Sequence, residues 1–287
     1  MPIFTSYDGT ELAYHVKGEG EPLVCLPGGA MRASAYLGDL GGLTAGRRLI
    51  LLDLRGTGDS RIPADESTYR VDHQVADVEA LRVHLGLERM DVTAHSAGGN
   101  LALLYAAAHP ARLRRLVLIT PTCSAVGLDS TPEQRLEVIR RRAGGEPYDT
   151  AIAAYEQILD ALAAGGTAAP ADWSRTMPLA YGRWDEGVRA HIEASGREKN
   201  AAAGIAYAGP GAFDPPATRA ALRHLAGEVL VLAGELDSNP TAALAAELAG
   251  LFAQGTADVQ PGGAHFPWLD DPKWFAARVE HFLATGS

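Results

Sequence analysis

The sequence predicts an α/β fold with a mostly parallel, eight-stranded sheet, helices on both faces and one inserted helical region. Short apolar runs, which are typical of buried strands, alternate with helical hydrophobic patterns. The alternation is interrupted once, between Ile119 and Val229, by a long stretch without a strong strand pattern. A length of 287 residues is sufficient for one α/β domain that carries such an insertion.

The order of the predicted elements favours a parallel sheet after an antiparallel start. Two strands, 3–6 and 11–17, flank an Asp8-Gly9 turn, which is typical of a hairpin. Later strands are predicted at 23–26, 48–52, 90–93, 116–119, 229–232 and, more weakly, 256–260. Helices are predicted at 73–85, 97–109, 241–251 and 272–284. Because strands joined through helices run parallel, we expect helices to cover both faces of the sheet.

The interruption predicts a helical cap, or lid, at residues 122–215. Helical patterns cover 132–142 and 149–164, and a linker rich in glycine and alanine occupies 165–172. The α/β core would then consist of residues 1–121 and 216–287. Because ligands bind at the carboxyl edge of open α/β sheets, the cap is expected to lie over that edge. The alternative, a separate C-terminal domain, would leave the strands after the insertion unable to complete the sheet.

The composition excludes several classes of function. A net charge of −10 without any block of basic residues argues against a nucleic-acid partner. The N-terminus lacks the pattern of a signal peptide, and no run approaches the ~20 apolar residues of a membrane span. We therefore expect a cytoplasmic protein without a membrane partner. Cys25 and Cys123 both lie in apolar settings and are predicted to be buried thiols rather than a disulfide.

Ser96 is the first candidate catalytic residue. Residues 93–100 read T-A-H-S-A-G-G-N, between a predicted strand and a predicted helix. A sharp strand-to-helix turn around a nucleophile needs small neighbours two residues away on either side, and Ala94 and Gly98 are both small. The Ala97 amide would lie at the start of the helix, where free N–H groups favour an oxyanion. The alternative is that Ser96 only caps the helix.

Asp237 and His265 supply the acid and the base that a serine nucleophile requires. Asp237 follows a buried strand in V-L-A-G-E-L-D, and His265 lies in the glycine-rich loop P-G-G-A-H-F-P-W. Both follow predicted strands, which places them at the same sheet edge as Ser96. The other histidines are weaker candidates; strand alternation points His95 away from the side that Ser96 faces.

A second oxyanion donor is predicted in the loop L-P-G-G-A-M-R, which follows the strand at 23–26. Two glycines allow its backbone to turn an N–H group inward, and Gly29 is the first candidate, with Ala30 as the alternative. An ordinary glycine turn is the competing interpretation. The segment L-D-L-R-G-T-G-D-S at 52–60 lacks the features of a phosphate loop, and its charged residues are expected to fix a turn instead.

These motifs together resemble the α/β-hydrolase superfamily, over about two-thirds of the chain. Within it, residues 77–90 and 101–110 resemble proline iminopeptidases. The resemblance implies a Ser-Asp-His triad, a helical cap, and cap carboxylates that hold the free amino group of an N-terminal proline. The chain departs from that family in having P-G-G-A-M at Pro27–Met31 and Ala97 in place of a tryptophan. Esterases, lactonases and thioesterases share the same core.

The sequence thus predicts a serine hydrolase that cleaves a carboxylic ester, a lactone or a small amide through Ser96, His265 and Asp237. Neither a metal nor an organic cofactor is expected, and the partner is a small-molecule substrate. Arg32, Trp184 and Trp268 are candidate substrate contacts. Three alternatives stay open: a proline iminopeptidase-type aminopeptidase, a ligand sensor that keeps the hydrolase fold, and an intramolecular acyl transferase or cyclase.

Overall fold

A computed structural model describes residues 1–284, apart from the side chain of Pro170. Eight strands form one sheet: β1 (Ile3–Thr5), β2 (Glu11–Lys17), β3 (Glu21–Leu26), β4 (Arg47–Leu52), β5 (Met90–His95), β6 (Leu113–Ile119), β7 (Glu228–Gly234) and β8 (Gly255–Gln260). Their order across the sheet is β1-β2-β4-β3-β5-β6-β7-β8. Strands β1 and β2 pair antiparallel, as do β2 and β4, and all later pairs are parallel. The predicted mostly parallel, eight-stranded α/β fold is confirmed.

The register brings the carboxyl ends of the central strands to one edge. Leu26 at the end of β3 pairs with Ala94 in β5, and His95 at the end of β5 pairs with Ile119 in β6. Ile119 in turn pairs with Leu232 near the end of β7. The loops that follow these strands therefore emerge side by side, and they carry the residues that the sequence singles out.

Alternate residues of the buried strands pack on opposite faces of the sheet. In β3, Val24 and Leu26 belong to one apolar cluster, whereas Leu23 and Cys25 belong to a second. Within residues 1–284, eleven helices accompany the sheet: α1 (Val71–His84), α2 (Gly98–Ala108), α3 (Pro132–Arg140), α4 (Tyr148–Ala163), α5 (Pro170–Arg175), α6 (Glu186–Glu198), α7 (Ala201–Tyr207), α8 (Pro215–Leu222), α9 (Ala242–Ala249), α10 (Pro267–Asp270) and α11 (Pro272–Ala284). The first cluster includes side chains of α1, α2, α8 and α9, and the second includes those of α10 and α11. Helices thus cover both faces.

The chain between β6 and β7 is helical and contains α3 to α8. Helix α3 begins with a capping box in which Thr131 and Gln134 bond each other's backbone amides. Helix α5 begins at residue 170, so the second part of the predicted linker at 165–172 is helical instead. Pro170 favours this start, because proline suits the first turn of a helix. The division into core and cap at 122–215 stays a prediction.

Two properties of the chain bear on the expectations from composition. Cys25 and Cys123 are both buried free thiols, and burial raises their pKa. Among residues 1–284, no helix has both the length and the apolar character that crossing a membrane requires.

Candidate active site

Ser96 lies directly after β5 in a strained turn. Its φ of 52° is in the left-handed region, which is uncommon for a residue other than glycine. The Ser96 amide donates to the Ile119 carbonyl at 3.0 Å, and the Ser96 carbonyl accepts from the amides of Gly99 at 2.8 Å and Thr122 at 2.9 Å. These bonds to α2 and to the end of β6 hold the backbone in a conformation that presents the hydroxyl at the sheet edge.

Glycine is required where the loop after β3 passes this turn. A Cβ atom at Gly98 would lie 2.5 Å from the Pro27 carbonyl oxygen. A Cβ atom at Gly28 would lie 2.8 Å from the Ser96 Cβ and 2.5 Å from the His95 carbonyl oxygen. Real side chains do not approach backbone so closely, so the two glycines are the reason that the loop can lie against Ser96.

The structure brings Ser96, His265 and Asp237 together in one hydrogen-bonded row. His265 Nε2 is 2.9 Å from Ser96 Oγ, and His265 Nδ1 is 2.8 Å from Asp237 Oδ2. The Asp237 side chain is only 5% exposed, and its other oxygen accepts from the Asn239 amide at 3.0 Å. Because a carboxylate accepts hydrogen bonds, Nδ1 carries the proton and Nε2 is free to accept one from the serine.

The backbone of His265 is fixed from both sides. Its amide donates to the Ala180 carbonyl at 3.0 Å, and its carbonyl accepts from Thr120 Oγ1 at 2.9 Å. Asp270 accepts from the amides of Ala264 at 2.7 Å and Gly182 at 2.8 Å, although burial raises its pKa. The histidine loop is therefore attached both to the sheet and to the helical insertion.

A chain of buried hydrogen bonds connects His265 to the loop after β3. The Gly28 amide donates to Tyr36 Oη at 2.7 Å, and Tyr36 Oη lies 2.8 Å from His95 Nδ1. His95 Nε2 lies 2.9 Å from the His265 carbonyl oxygen, so Nε2 is the donor and Nδ1 accepts from the tyrosine. Burial holds the pKa of His95 well below its usual range, which keeps the ring neutral. Strand alternation in the sequence predicted that His95 points away from the side that Ser96 faces, but it did not reveal these contacts.

The predicted oxyanion donors lie beside Ser96. The amides of Gly29, Ala30 and Ala97 donate to no acceptor among residues 1–284, whereas the Gly28 amide is engaged by Tyr36. Gly29 has a φ of 95° and lines a cavity together with Ser96, and Ala97 immediately precedes α2. Because these two amides flank the serine, they are suited to bind negative charge on a carbonyl oxygen.

Two cavities meet at Ser96 and His265, with Met177 and Ala180 in the wall of both. The first, which we name the Asp237 cavity, has a volume of about 260 Å³ and is further lined by Thr122, Ile139, Tyr155, Thr176, Leu179, Asp237, Ser238 and Asn239. The second, which we name the Gly29 cavity, has a volume of about 240 Å³ and is further lined by Gly29, Arg32, Tyr36, His95, Ser195, Lys199 and Phe266. The row of three residues therefore lies between two spaces of similar size.

The three predicted substrate contacts have different positions. Arg32 lines the Gly29 cavity, is 3% exposed, pairs with Glu198 at 2.7 Å and lies 4.2 Å from the ring centroid of Tyr36. Trp184 is half-buried against the second apolar cluster and lines neither cavity. Trp268 is 2% exposed and packs edge-on against the ring of His95. It lines neither cavity. Trp268 was a candidate because it follows His265, and Trp184 because it lies in the helical insertion; neither reason revealed that the two indoles pack against the second apolar cluster.

The helical insertion contributes to both cavities, but its carboxylates do not. Ile139, Tyr155 and Leu179 line the Asp237 cavity, and Ser195 and Lys199 line the Gly29 cavity. Carboxylates of the insertion that line neither cavity include Glu133, Glu137, Glu156, Asp160, Asp185 and Glu193. Tyr36 and Lys199 were not singled out from the sequence, because neither lies in a recognisable motif.

Residues of the segment after β4 form hydrogen bonds that hold neighbouring loops in place. Asp53 accepts from the Ser34 amide at 2.7 Å and from the Asp59 amide at 3.0 Å. His15, Asp53 and Asp59 place three ligand atoms within 4.8 Å of one another, which is a spacing that could hold a metal ion. However, His15 Nε2 is itself 2.9 Å from Asp53 Oδ2. These bonds already account for both Asp53 oxygens, in agreement with a structural role for this aspartate.

Comparisons with known proteins agree with this architecture. A relative from Bacillus subtilis (strain 168), named putative 2-succinyl-6-hydroxy-2,4-cyclohexadiene-1-carboxylate synthase, is 26% identical over 98% of this chain and 97% of its own. A proline iminopeptidase from Lactiplantibacillus plantarum is 26% identical over 97% of this chain and 99% of its own. The solved structure of an esterase from Exiguobacterium antarcticum has a TM-score of 0.72 at 18% identity and covers 99% of both chains.

The family model for the alpha/beta hydrolase fold matches residues 21–272, which include the candidate site and the helical insertion. The match extends over most of the chain and confirms the resemblance seen in the motifs around Ser96, Asp237 and His265. The chain belongs to the α/β-hydrolase fold family.

Proposed function

We propose that this α/β hydrolase is a serine hydrolase that cleaves a carboxylic ester or lactone, or a small amide, through an acyl-enzyme. The observation that carries the proposal is the row of hydrogen bonds from Ser96 through His265 to Asp237 at the meeting point of two cavities. A nucleophile, a base within reach of it and a buried acid that orients the base are the parts that acyl transfer requires.

In the proposed reaction, Ser96 Oγ attacks the carbonyl carbon while its proton passes to His265 Nε2. Asp237 keeps the proton on Nδ1 and stabilises the imidazolium that forms. The tetrahedral intermediate collapses when His265 donates its proton to the departing alcohol or amine, which leaves an ester on Ser96. Water, deprotonated by His265, then attacks this ester and releases the acid and the free serine. The amides of Gly29 and Ala97 would hold the oxyanion in both steps.

We further propose that residues 122–215 act as a cap over the core. The support is that Ile139, Tyr155 and Leu179 from this region form the apolar wall of the Asp237 cavity. The two cavities would then hold the acyl and leaving groups on opposite sides of Ser96. Enclosure by the cap would also limit water near the reacting carbonyl.

An ester or lactone fits the lining better than an N-terminal proline does. The proline iminopeptidase relative makes the aminopeptidase reaction the principal competitor. That reaction needs an acidic partner for the free ammonium of the substrate, yet Asp237 is the only carboxylate in either described cavity lining. Asp237 already pairs with His265. A cationic substrate would also meet the positive side chain of Lys199 in the Gly29 cavity.

The test combines covalent labelling with turnover. We expect a fluorophosphonate probe to label wild type at Ser96, and Ser96→Ala to lower kcat on p-nitrophenyl esters by about 10⁴- to 10⁶-fold with unchanged folding. Prolyl-p-nitroanilide is measured alongside. Near-normal turnover by Ser96→Ala would overturn the mechanism, and faster cleavage of the prolyl anilide than of any ester would establish the aminopeptidase. A wild type that neither labels nor turns over would favour a ligand sensor.

A further inference from the structure

The Gly29 cavity contains a lysine in a chain that has few. Lys17, Lys199 and Lys273 are the lysines of the sequence. Lys17 donates to the Gly38 carbonyl at the surface, and Lys273 is exposed in α11. Lys199 is exposed as well, but it differs from the other two because it lines the cavity that also contains Ser96 and His265. A side chain that carries a full charge within reach of the reacting groups affects which substrates can bind.

The backbone fixes Lys199 next to the oxyanion loop. Lys199 and Arg32 form an antiparallel bridge, which is the contact between the end of α6 and the loop after β3. On one side of the bridge the Ala33 amide donates to the Glu198 carbonyl at 2.9 Å, and on the other the Asn200 amide donates to the Met31 carbonyl at 3.0 Å. Main-chain hydrogen bonds therefore hold Lys199 opposite Arg32, which is three residues after Gly29 in the loop.

Among residues 1–284, the charge of Lys199 has no counter-ion. The other cation of the cavity, Arg32, is neutralised by Glu198, whose Oε2 accepts from it at 2.7 Å. No carboxylate among residues 1–284 pairs with the Lys199 ammonium. Desolvation by the surrounding protein, together with the positive charge of Arg32, lowers the pKa of Lys199, although part of the residue is exposed.

Neighbouring titratable groups do not compensate this charge. His191 contacts Arg32 and has its pKa lowered to about 4 by burial and by that guanidinium. His95 is likewise held neutral by burial. The lining therefore carries one unpaired positive charge. The lining of the Asp237 cavity contains no unpaired charge of this kind: its one carboxylate, Asp237, is paired with His265.

We propose that the Gly29 cavity binds a carboxylate of the substrate, with the Lys199 ammonium as its counter-ion, so that the natural substrate is an anionic ester or lactone. This rests on the proposed function, which it narrows to a substrate class. A single unpaired ammonium matches a single negative charge, and a carboxylate can accept its hydrogen bonds in a partly desolvated site. Gly29, Ser96 and Lys199 line the same cavity, so an anion bound there would share that space with the scissile carbonyl.

The experiment uses pairs of esters matched in length. One pair compares p-nitrophenyl hemiglutarate with p-nitrophenyl valerate, so that the charge is on the acyl chain. A second compares 4-carboxyphenyl valerate with 4-methylphenyl valerate, so that the charge is on the leaving group. The measured quantity is the ratio of kcat/KM for the anionic ester to that for its neutral partner, at low ionic strength.

We expect wild type to favour the anionic member of at least one pair. Lys199→Met should lower that ratio by about 10- to 100-fold, the range for a lost hydrogen bond to a charged group, and Lys199→Arg should restore most of it. Lys273→Met is the matched control and should leave the ratio at its wild-type value. Added salt should reduce the wild-type preference. Equal ratios in wild type and Lys199→Met for both pairs would overturn the proposal.

Failure of this inference is distinguishable from failure of the proposed function. Cleavage of all four esters without a Lys199-dependent preference would overturn the carboxylate site and leave the serine hydrolase intact. If none of the four esters is cleaved and the fluorophosphonate probe does not label Ser96, the proposed function is overturned. Calorimetric binding of monoethyl glutarate to wild type and to Lys199→Met then tests the site directly, and equal affinities would overturn it.

Discussion

The two cavities at Ser96 are similar in volume but differ in chemistry and in construction. Apart from Asp237 and its partner His265, the Asp237 cavity is lined by neutral hydroxyl and amide groups and by apolar side chains of the helical insertion. The Gly29 cavity is lined by Arg32 and Lys199 and borders the loop that passes directly against Ser96. One side thus contains the carboxylate that would orient the proposed base, and the other side borders the loop that we propose binds the oxyanion. The two functions can be separated by mutation.

The largest effect is expected on the Asp237 side. Asp237→Asn should keep the fold but reduce kcat by about 10⁴-fold at neutral pH, because the amide favours the wrong tautomer of His265. KM should change little, since Asp237 orients the base rather than binding the acyl group. Steady-state kinetics with one p-nitrophenyl ester measures both constants. A decrease below tenfold would show that the row of hydrogen bonds is not the catalytic apparatus.

The next effect is expected on the Gly29 side. Gly28→Ala would place a Cβ atom 2.5 Å from the His95 carbonyl oxygen and 3.1 Å from the Ala97 amide nitrogen. The loop must shift away from Ser96, so we expect kcat/KM to decrease by about 10²- to 10³-fold through loss of the oxyanion site.

Gly196→Ala is the matched control for Gly28→Ala. Gly196 lies within α6, and a Cβ atom there would have no neighbour within 4 Å. Activity should be unchanged, and stability should rise by up to about 1 kcal/mol because alanine has the higher helix propensity. Wild-type activity in Gly28→Ala would contradict the close approach of loop and nucleophile.

A smaller effect is expected from the hydrogen-bond chain behind the Gly29 cavity. Tyr36→Phe removes the hydroxyl between the Gly28 amide and His95 Nδ1, and leaves both groups buried without their partner. We expect unfolding free energy to decrease by about 1–3 kcal/mol and kcat by about tenfold. Tyr14→Phe is the control, since that hydroxyl contacts the exposed His84 away from the site. An equal decrease of kcat in the two variants would show that Tyr36 has no positioning role.

The smallest effect is expected on stability at acidic pH. It comes from His191, which contacts Arg32 beside the Gly29 cavity. Burial and Arg32 lower the pKa of His191 to about 4, below the usual range in an unfolded chain. The unfolded state therefore takes up a proton first as the pH falls, and stability is lost between about pH 6.5 and pH 4. Because His191 is partly exposed, its share is about 1–2 kcal/mol after solvent screening.

His191→Gln isolates this contribution. Urea unfolding at pH 7 and at pH 4.5 gives the loss of stability for each protein, and other titrating groups contribute equally to both. The variant should lose about 1–2 kcal/mol less than wild type over this interval. An equal or larger loss in His191→Gln would show that His191 does not titrate in this way.

Much of the fold and of the candidate site was predictable because its signals are local. Alternating burial in the strands and small residues around Ser96 indicated a parallel sheet with a sharp turn after β5. The positions of Asp237 and His265 after strands indicated that they would share an edge with Ser96. Trp184 and Trp268 show the limit of this reasoning, because neither a place in the helical insertion nor proximity to His265 along the chain specifies whether a side chain packs against an apolar cluster or faces a cavity.

The sequence by itself determined the strand order along the chain, the turn at Ser96 and the residues of the proposed triad, since each depends on residue type and short spacing. Only the tertiary structure decided that Tyr36 and His95 join the Gly28 amide to the His265 carbonyl. It also decided that the end of α6 pairs with the loop after β3 and places Lys199 in the Gly29 cavity. Such contacts join residues far apart in sequence, and no local pattern specifies which distant groups will satisfy one another's hydrogen bonds and charges.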